Sequence, residues 1–167
     1  NISESNLELV KARIDIETGA TYSSQEMIDA VDRAMGTTLF NQITYSSFFK
    51  DTLFGAELTV HEHSQHQVKG SLHYDSYRSA GILVNYTGRN VLGDASRIVI
   101  TADIAIQPRF RVQYQKIFGE EKNWWWRSEL LGEFLEQKFY LGGDVADNLK
   151  SRYVHFDNQI NLNLDPR

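Results

Sequence analysis

Apolar and polar residues alternate one by one over most of the chain from residue 66 to residue 164, and this period of two predicts β-strands. Even-numbered positions carry most of the apolar side chains, and odd-numbered positions carry most of the polar ones. Six such segments are separated by stretches rich in turn residues. We therefore expect about six antiparallel strands, several of them near the length that a tilted membrane strand needs. The loop 141–150 is expected to be longer than its neighbours.

Residues 9–62 follow another pattern, which predicts a mixed α/β unit. Alternation over 10–16 favours a strand. Ser23 and Glu26 form a capping-box pattern before apolar residues at helical spacing, and Gly36 supplies a stop signal. A short second helix is expected after Thr37.

The last part of this unit is predicted to be a β-hairpin, with strands at 43–49 and 53–60 and its turn near Asp51. The fold class expected from the whole chain is α+β, with a βααββ unit at 9–62 followed by an antiparallel sheet over 66–167. Residues 1–8 are expected to be an N-terminal tail.

Alternation alone leaves the surroundings of the sheet open. A soluble barrel with an apolar interior and a membrane barrel with an apolar exterior give the same pattern. Large polar side chains that share the odd-numbered face could pair across a hydrated lumen, although a solvated sheet surface would also accept them. These lumen-facing candidates are Arg109, Arg111, Glu129 and Glu133.

Aromatic residues cluster near the ends of the predicted strands, as they do at membrane–water interfaces. The candidates for an interface position are Trp124, Trp126 and Tyr140, and Tyr74 and Tyr77 lie near another strand end. Trp124 and Trp126 can share one face of a strand, whereas Trp125 must point to the other. Ordinary core packing explains the same aromatic residues equally well.

Composition narrows the classes of protein. The chain has 167 residues, 41% of them hydrophobic and 23% charged, so it can bury a core. A net charge of −5 disfavours nucleic-acid binding, and the absence of cysteine excludes disulfide scaffolds and thiolate metal sites. No signal peptide and no apolar run near the length of a membrane helix is present, so any membrane crossing would use strands. We expect an internal piece of a longer protein or a mature form.

Candidate chemistry is sparse. His61 and His63 would share one face of a strand and could bind a divalent cation, but a polar linker is the favoured interpretation. No acidic pair has a neighbouring nucleophile, and Gly142-Gly143 lacks the lysine and helix of a phosphate loop. We expect no catalytic residues, no metal and no cofactor in this chain.

The pattern resembles a known family. Residues 9–62 are similar to a POTRA domain, the periplasmic βααββ module that precedes barrels of the Omp85 (bacterial surface antigen, D15) superfamily. The matching segments are 14–19, the helix from Ser24, 36–40 and 58–62, and the segments 72–75, 81–85 and 89–93 resemble the first barrel hairpin. The Gly-Thr-x-Leu-Phe segment at 36–40 and the following Tyr-Asp strand resemble bacterial patatin-like phospholipases that carry these parts after the lipase.

This resemblance implies a non-enzymatic part of a bacterial outer-membrane protein. A periplasmic POTRA module would add a strand from another polypeptide, and the barrel would anchor or translocate an attached domain. The Gly-x-Ser-x-Gly elbow of a lipase and the Arg-Gly-Phe motif of Omp85 barrels are missing, and six strands are too few to close a membrane barrel. In the parent protein these strands are expected to contact outer-membrane lipid, and the isolated piece is expected to self-associate through its edge strands. The alternative is a soluble β-barrel or sandwich that binds an apolar ligand.

Overall fold

The computed structural model describes residues 2–17, 19–50, 53–75, 79–119 and 122–163. Within these ranges the chain forms two helices, a two-stranded sheet and an open six-stranded sheet, all of whose strand pairs are antiparallel. The elements are α1 (Glu4–Ile14), α2 (Ser24–Met35), β1 (Phe40–Lys50), β2 (Leu53–Glu62), β3 (His66–Asp75), β4 (Ser79–Arg89), β5 (Ser96–Ile104), β6 (Arg109–Phe118), β7 (Trp124–Leu141) and β8 (Asp144–Leu162). We call residues 2–62 the N-terminal unit and β3–β8 the meander.

Helix α1 replaces the strand predicted at 10–16, which was wrong. Leu9, Val10 and Ile14 are buried on one side of the helix. Val10 follows Leu9 directly and Ile14 lies four residues after Val10, and residues spaced in this way share one face of a helix. The apolar residues at 10, 14 and 16 also fit alternation, so the pattern was ambiguous. Residues 4–8, expected to lie in a tail, belong to this helix.

Helix α2 confirms the predicted capping box. The backbone N–H of Glu26 donates to Ser23 Oγ (3.2 Å), and the backbone N–H of Ser23 donates to Glu26 Oε2 (2.7 Å). The helix ends at Met35, directly before Gly36. The short second helix expected after Thr37 was wrong, because the chain turns through Thr38 at a φ of 62° and enters β1. The described order is therefore ααββ and not βααββ.

Strands β1 and β2 form the predicted hairpin, in which Ile43 pairs with Val60. Its apolar side packs on the helices through buried Phe40 and Ile43. The predicted turn residue Asp51, the aromatic Tyr77 and the last strand residue Leu164 lie outside the described residues.

The meander confirms six antiparallel strands in sequence order β3 to β8. β3 and β8 are its outer strands, so the sheet is not closed within the described residues. The prediction of a long loop at 141–150 was wrong. Gly142 and Gly143, both with positive φ (63° and 96°), make a tight turn, and β8 begins at Asp144.

Strands β7 and β8 extend well past β6, whose last pair with β7 joins Arg109 to Glu133. The part beyond this pair, residues 134–152, is called the protruding hairpin. It lies at the far end of the meander, opposite the end at which β3 begins.

The N-terminal unit packs against the other end of the meander, called the docked end. Ala95 and Ile117 join the buried cluster of Leu9 and Val10, and Trp125 packs on it. Hydrogen bonds add to this contact. Arg89 donates to the carbonyls of Thr38 (3.2 Å) and Ser64 (3.1 Å), and Arg97 donates to Thr38 Oγ1 (2.7 Å). Asn90 Nδ2 donates to Asn6 Oδ1 (3.0 Å).

Candidate functional site: the two faces of the meander

The register places even-numbered side chains of β3–β8 on one side of the sheet and odd-numbered side chains on the other. The even-numbered side is called the apolar face and carries rows such as Leu72–Ile82–Ile104 and Val112–Leu130–Phe156. The odd-numbered side is called the polar face. We use the names apolar face and polar face for β3–β6, for β7 as far as residue 134, and for β8 from residue 154 onward.

Burial distinguishes the two faces in an unusual way. Leu72 is 81% exposed and Ile104 62% exposed on the apolar face, whereas Asp103 on the polar face is 1% exposed. Along β7 the polar-face residues Glu129 and Leu131 are half-buried, and Leu130 between them is exposed. The polar face is thus the more enclosed side, the reverse of a soluble sheet.

The centre of the polar face is an ion-paired cluster. The Asp103 carboxylate lies 2.6 Å from His73 Nε2 and accepts from Arg109 Nε at 3.0 Å. Farther along, Glu129 lies 3.6 Å from Arg111 Nε and 3.4 Å from an Arg127 nitrogen. Each carboxylate thus has cationic or hydrogen-bonding partners, as buried charges need.

All four residues predicted to face a lumen lie on the polar face: Arg109, Arg111, Glu129 and Glu133. An open depression of about 230 Å³ lies between Arg109, Arg111 and Glu133. That this face lines a lumen remains a prediction. Sequence reasoning missed His73 and Asp103, although an acidic residue between Ala102 and Ile104 in a strand was a signal that could have found the second.

The aromatic candidates divide into two places. Trp124 and Trp126 share the apolar face near the docked end, where Trp124 stacks with Phe118 and Trp126 Nε1 donates to Asn158 Oδ1 (2.6 Å). Trp125 points to the polar face and packs on the N-terminal unit. Tyr140, 64% exposed, lies near the tip of the protruding hairpin and not beside the two tryptophans.

The polarity of the even-numbered side reverses at the protruding hairpin. It is mainly apolar or aromatic from Trp124 to Phe134, but beyond Phe134 it carries Glu136 and Lys138, and Glu136 pairs with Lys150 (4.0 Å). The segment Trp124–Phe134 rises about 33 Å along the strand, or about 25 Å along a barrel axis from which strands tilt by about 40°. This height is comparable with the apolar band of an outer-membrane barrel.

The two histidines weighed as metal ligands lie at the junction between β2 and the meander. His61 is in β2, and His63 donates its backbone N–H to the carbonyl of Leu39 (3.0 Å). Burial lowers the pKa of His63, and the nearby charges of Arg89 and Lys69 lower it further, so the ring is neutral at pH 7. In the described ranges no group of three or more His, Asp or Glu side chains is arranged to hold a metal ion.

Neither helix in the described part of the chain has the length and apolar character needed to cross a membrane.

Comparison with known proteins gives a fold and no family. No protein-family model matches the chain, and no curated protein matches it. Solved structures do match, among them BamA from Haemophilus ducreyi lacking POTRA domains 1–3, at 13% identity and a TM-score of 0.53 over 80% of this chain. The match covers 26% of the BamA chain, so this chain spans about a quarter of its length. The likeness shows a shared fold, and that fold agrees with the expected partial β-barrel.

Proposed function

We propose that the meander is part of the wall of a bacterial outer-membrane β-barrel of Omp85 type. The apolar face lies against lipid, and the polar face lines a hydrated interior. The observation that carries this proposal is the reversed burial, with Asp103 enclosed and Leu72 and Ile104 open. Exposed apolar surface costs about 25 cal/mol per Å² in water but nothing comparable in hydrocarbon.

The alternative, a soluble barrel or sandwich around an apolar ligand, needs the apolar face to be the enclosed one. The described residues leave that face open and place the ion pairs on the other side. The membrane-barrel hypothesis therefore has the better support.

The position of the N-terminal unit supports an orientation of the proposed barrel, with the docked end toward the periplasm. The unit packs against polar-face residues at the docked end, and this contact supports a position at the mouth of the proposed interior. We assign it to the periplasm as a POTRA-like module, supported by the capped helix and the hairpin. In this assignment an edge of the β1–β2 sheet accepts a strand from another polypeptide through backbone hydrogen bonds. The first strand of a βααββ module does not occur among the described residues.

The role we assign to the segment is structural and not catalytic. It anchors or helps to translocate an attached domain, and a patatin-like phospholipase is the proposed attached domain. The sequence on both sides of the chain tests this assignment. A Gly-x-Ser-x-Gly elbow upstream and further alternating strands downstream are expected, and an unrelated upstream domain would contradict it.

The isolated chain is proposed to self-associate, because the outer edges of β3 and β8 are unpaired within the described residues. Light scattering after size-exclusion chromatography measures this directly. Oligomers or a need for detergent are expected, and a monodisperse detergent-free monomer would contradict the proposal for the isolated chain.

Neighbouring tryptophans provide the experiment on the orientation of the faces. A chain that keeps only Trp124 (W125F/W126F) is compared with one that keeps only Trp125 (W124F/W126F), each reconstituted into vesicles with brominated lipid. Bromine quenches an indole only at close range, so fluorescence of Trp124 should fall strongly and that of Trp125 little. Equal quenching of the two, or quenching of neither, would overturn the proposal.

A further inference from the structure

Lys116 places a cationic side chain on the apolar face at the docked end. In the register it lies between Ser96 of β5 and Trp126 of β7. The residue is half-buried, and no ion pair links it to another residue in the described part of the chain. An ammonium group on a lipid-facing surface requires an anionic or polar partner.

The side chains around Lys116 suit the boundary between hydrocarbon and headgroups. Tyr114 and Trp126 form an edge-to-face pair with ring centroids 5.5 Å apart. Rings of this kind, with one polar atom on an apolar body, prefer the headgroup level. The long apolar stem of a lysine lets its ammonium group reach the same level.

Asn158 adds a second polar group to this surface. Its Oδ1 accepts hydrogen bonds from Trp126 Nε1 and from the Ser128 hydroxyl, which fixes the orientation of the amide. The Nδ2 group is therefore a positioned donor on the apolar face. Donors and a cation among aromatic rings complement a phosphate diester and its neighbouring ester groups.

We propose that Lys116, Tyr114, Trp126 and Asn158 form a site for the phosphate of a membrane phospholipid in the leaflet at the docked end, with a preference for an anionic headgroup. This inference rests on the proposed function, because it requires the apolar face to contact lipid. The ammonium group of Lys116 binds the phosphate, and the amide of Asn158 donates to an ester oxygen. The occupant is a lipid and not free phosphate, since the surrounding rings and leucines complement acyl chains.

Trp126 is itself the probe. The chain that keeps only Trp126 (W124F/W125F) is reconstituted into phosphatidylcholine vesicles that contain equal fractions of either brominated phosphatidylglycerol or brominated phosphatidylcholine. The quenching by the anionic lipid relative to the zwitterionic one gives the preference of the site. We expect a ratio of about five, the factor equivalent to about 1 kcal/mol for one basic side chain at an anionic membrane surface.

A matched variant separates the site from general surface charge. Lys116→Gln should bring the ratio close to one. Lys122→Gln removes a lysine that also lies at the docked end but is paired with Glu8 (3.9 Å), and it should leave the ratio unchanged. Inorganic phosphate in the buffer should not lower the quenching by the brominated anionic lipid.

Each contrary result overturns a different statement. Equal quenching by both lipids in the parent chain, or the same loss in both lysine variants, would overturn the phosphate site and leave the membrane orientation standing. Absence of quenching by either lipid would overturn the orientation and the site with it. Competition by inorganic phosphate would show that the ligand is the free anion.

Discussion

At the scale of single residues, the polar face depends on Asp103. It is the most enclosed charged side chain among the described residues of the meander, and it connects β3 to β6 through His73 and Arg109. Sequence reasoning placed Arg109 on the polar face because alternation fixes the face. It could not bring together residues that lie thirty positions apart, since that contact depends on strand register and not on local pattern.

Replacement of Asp103 by alanine tests this contact. We expect a loss of about 2 kcal/mol in the free energy of unfolding, because His73 and Arg109 would lose a buried hydrogen-bonding partner, although Arg109 is 46% exposed and can turn to water. Urea unfolding of the detergent-refolded chain measures it. Asp157→Ala, which removes a more exposed carboxylate from the polar face of β8, is the control and should cost less than about 0.5 kcal/mol. Equal losses in the two variants would contradict the assigned role of Asp103.

A second prediction at the scale of single residues concerns the stability of the meander when Gly132 is replaced. A Cβ atom on Gly132 would overlap the Phe110 ring, which covers this glycine from β6. Gly132→Ala should therefore displace the Phe110 ring, and because that ring is 37% exposed and can turn aside, we expect a loss of about 1 kcal/mol in the free energy of unfolding. Gly70→Ala, in a similar strand position with its nearest atom at 4.0 Å, should be neutral or stabilising. Unfolding curves that show no difference between the two variants would exclude the packing of Phe110 on Gly132.

At the scale of elements, strands with a sustained period of two were predictable, and short ambiguous segments were not. The hydrophobic phase located all six strands of the meander, because every second residue along each strand faces the same side. The apolar positions within residues 10–16 fit a strand and a helix equally well. The segment forms a helix because the helix buries Val10 and Ile14 in one cluster with the hairpin. The length of β8 escaped prediction since its residues 144–152 lack an apolar stripe that faces one side.

The start of helix α2 carries a prediction about capping and pH. Ser23→Ala should cost about 1 kcal/mol of stability in the N-terminal unit, measured by loss of the helical circular-dichroism signal on heating, whereas Ser24→Ala should change little.

Hydrogen bonds from the backbone N–H and hydroxyl of Ser23 lower the pKa of Glu26. The stabilising effect of the Glu26 carboxylate is therefore complete above pH 4.5, the ordinary pKa of the group. It disappears as the pH falls through the lower pKa that Glu26 has in the folded chain. A Glu26→Gln variant should lose this pH dependence, and an unaltered dependence would contradict the capping box.

The protruding hairpin makes a prediction about accessibility. Its charged residues on both sides of the turn predict that it stands in water beyond the lipid. Trypsin added to the vesicle-reconstituted chain should cut first at Lys138 and Lys150, and Lys69 within β3 should be protected. Mass spectrometry of the early fragments identifies the sites. Earliest cleavage at Lys69 would contradict the boundary placed at Phe134.

At the scale of the whole molecule, the N-terminal unit, the enclosed polar face and the exposed apolar face support one arrangement. The unit meets the meander through Arg89, Arg97 and Trp125, all of which lie on the polar face. Among the described residues of the sheet, the large side chains of the apolar face are mostly exposed. The likeness to part of BamA in fold agrees with such a wall segment, and the placement in an outer membrane is the proposal that joins these observations.

The most direct test of this central claim uses single cysteines, which the chain naturally lacks. Nitroxide labels at Val84 and Ile100 on the apolar face are compared with labels at Asn85 and Thr101 on the polar face, in the reconstituted chain. Electron paramagnetic resonance then measures collisions with oxygen, which concentrates in lipid, and with a water-soluble nickel chelate. The account predicts that oxygen dominates at Val84 and Ile100 and the nickel chelate at Asn85 and Thr101. The reverse order, or equal access at all four positions, would contradict it.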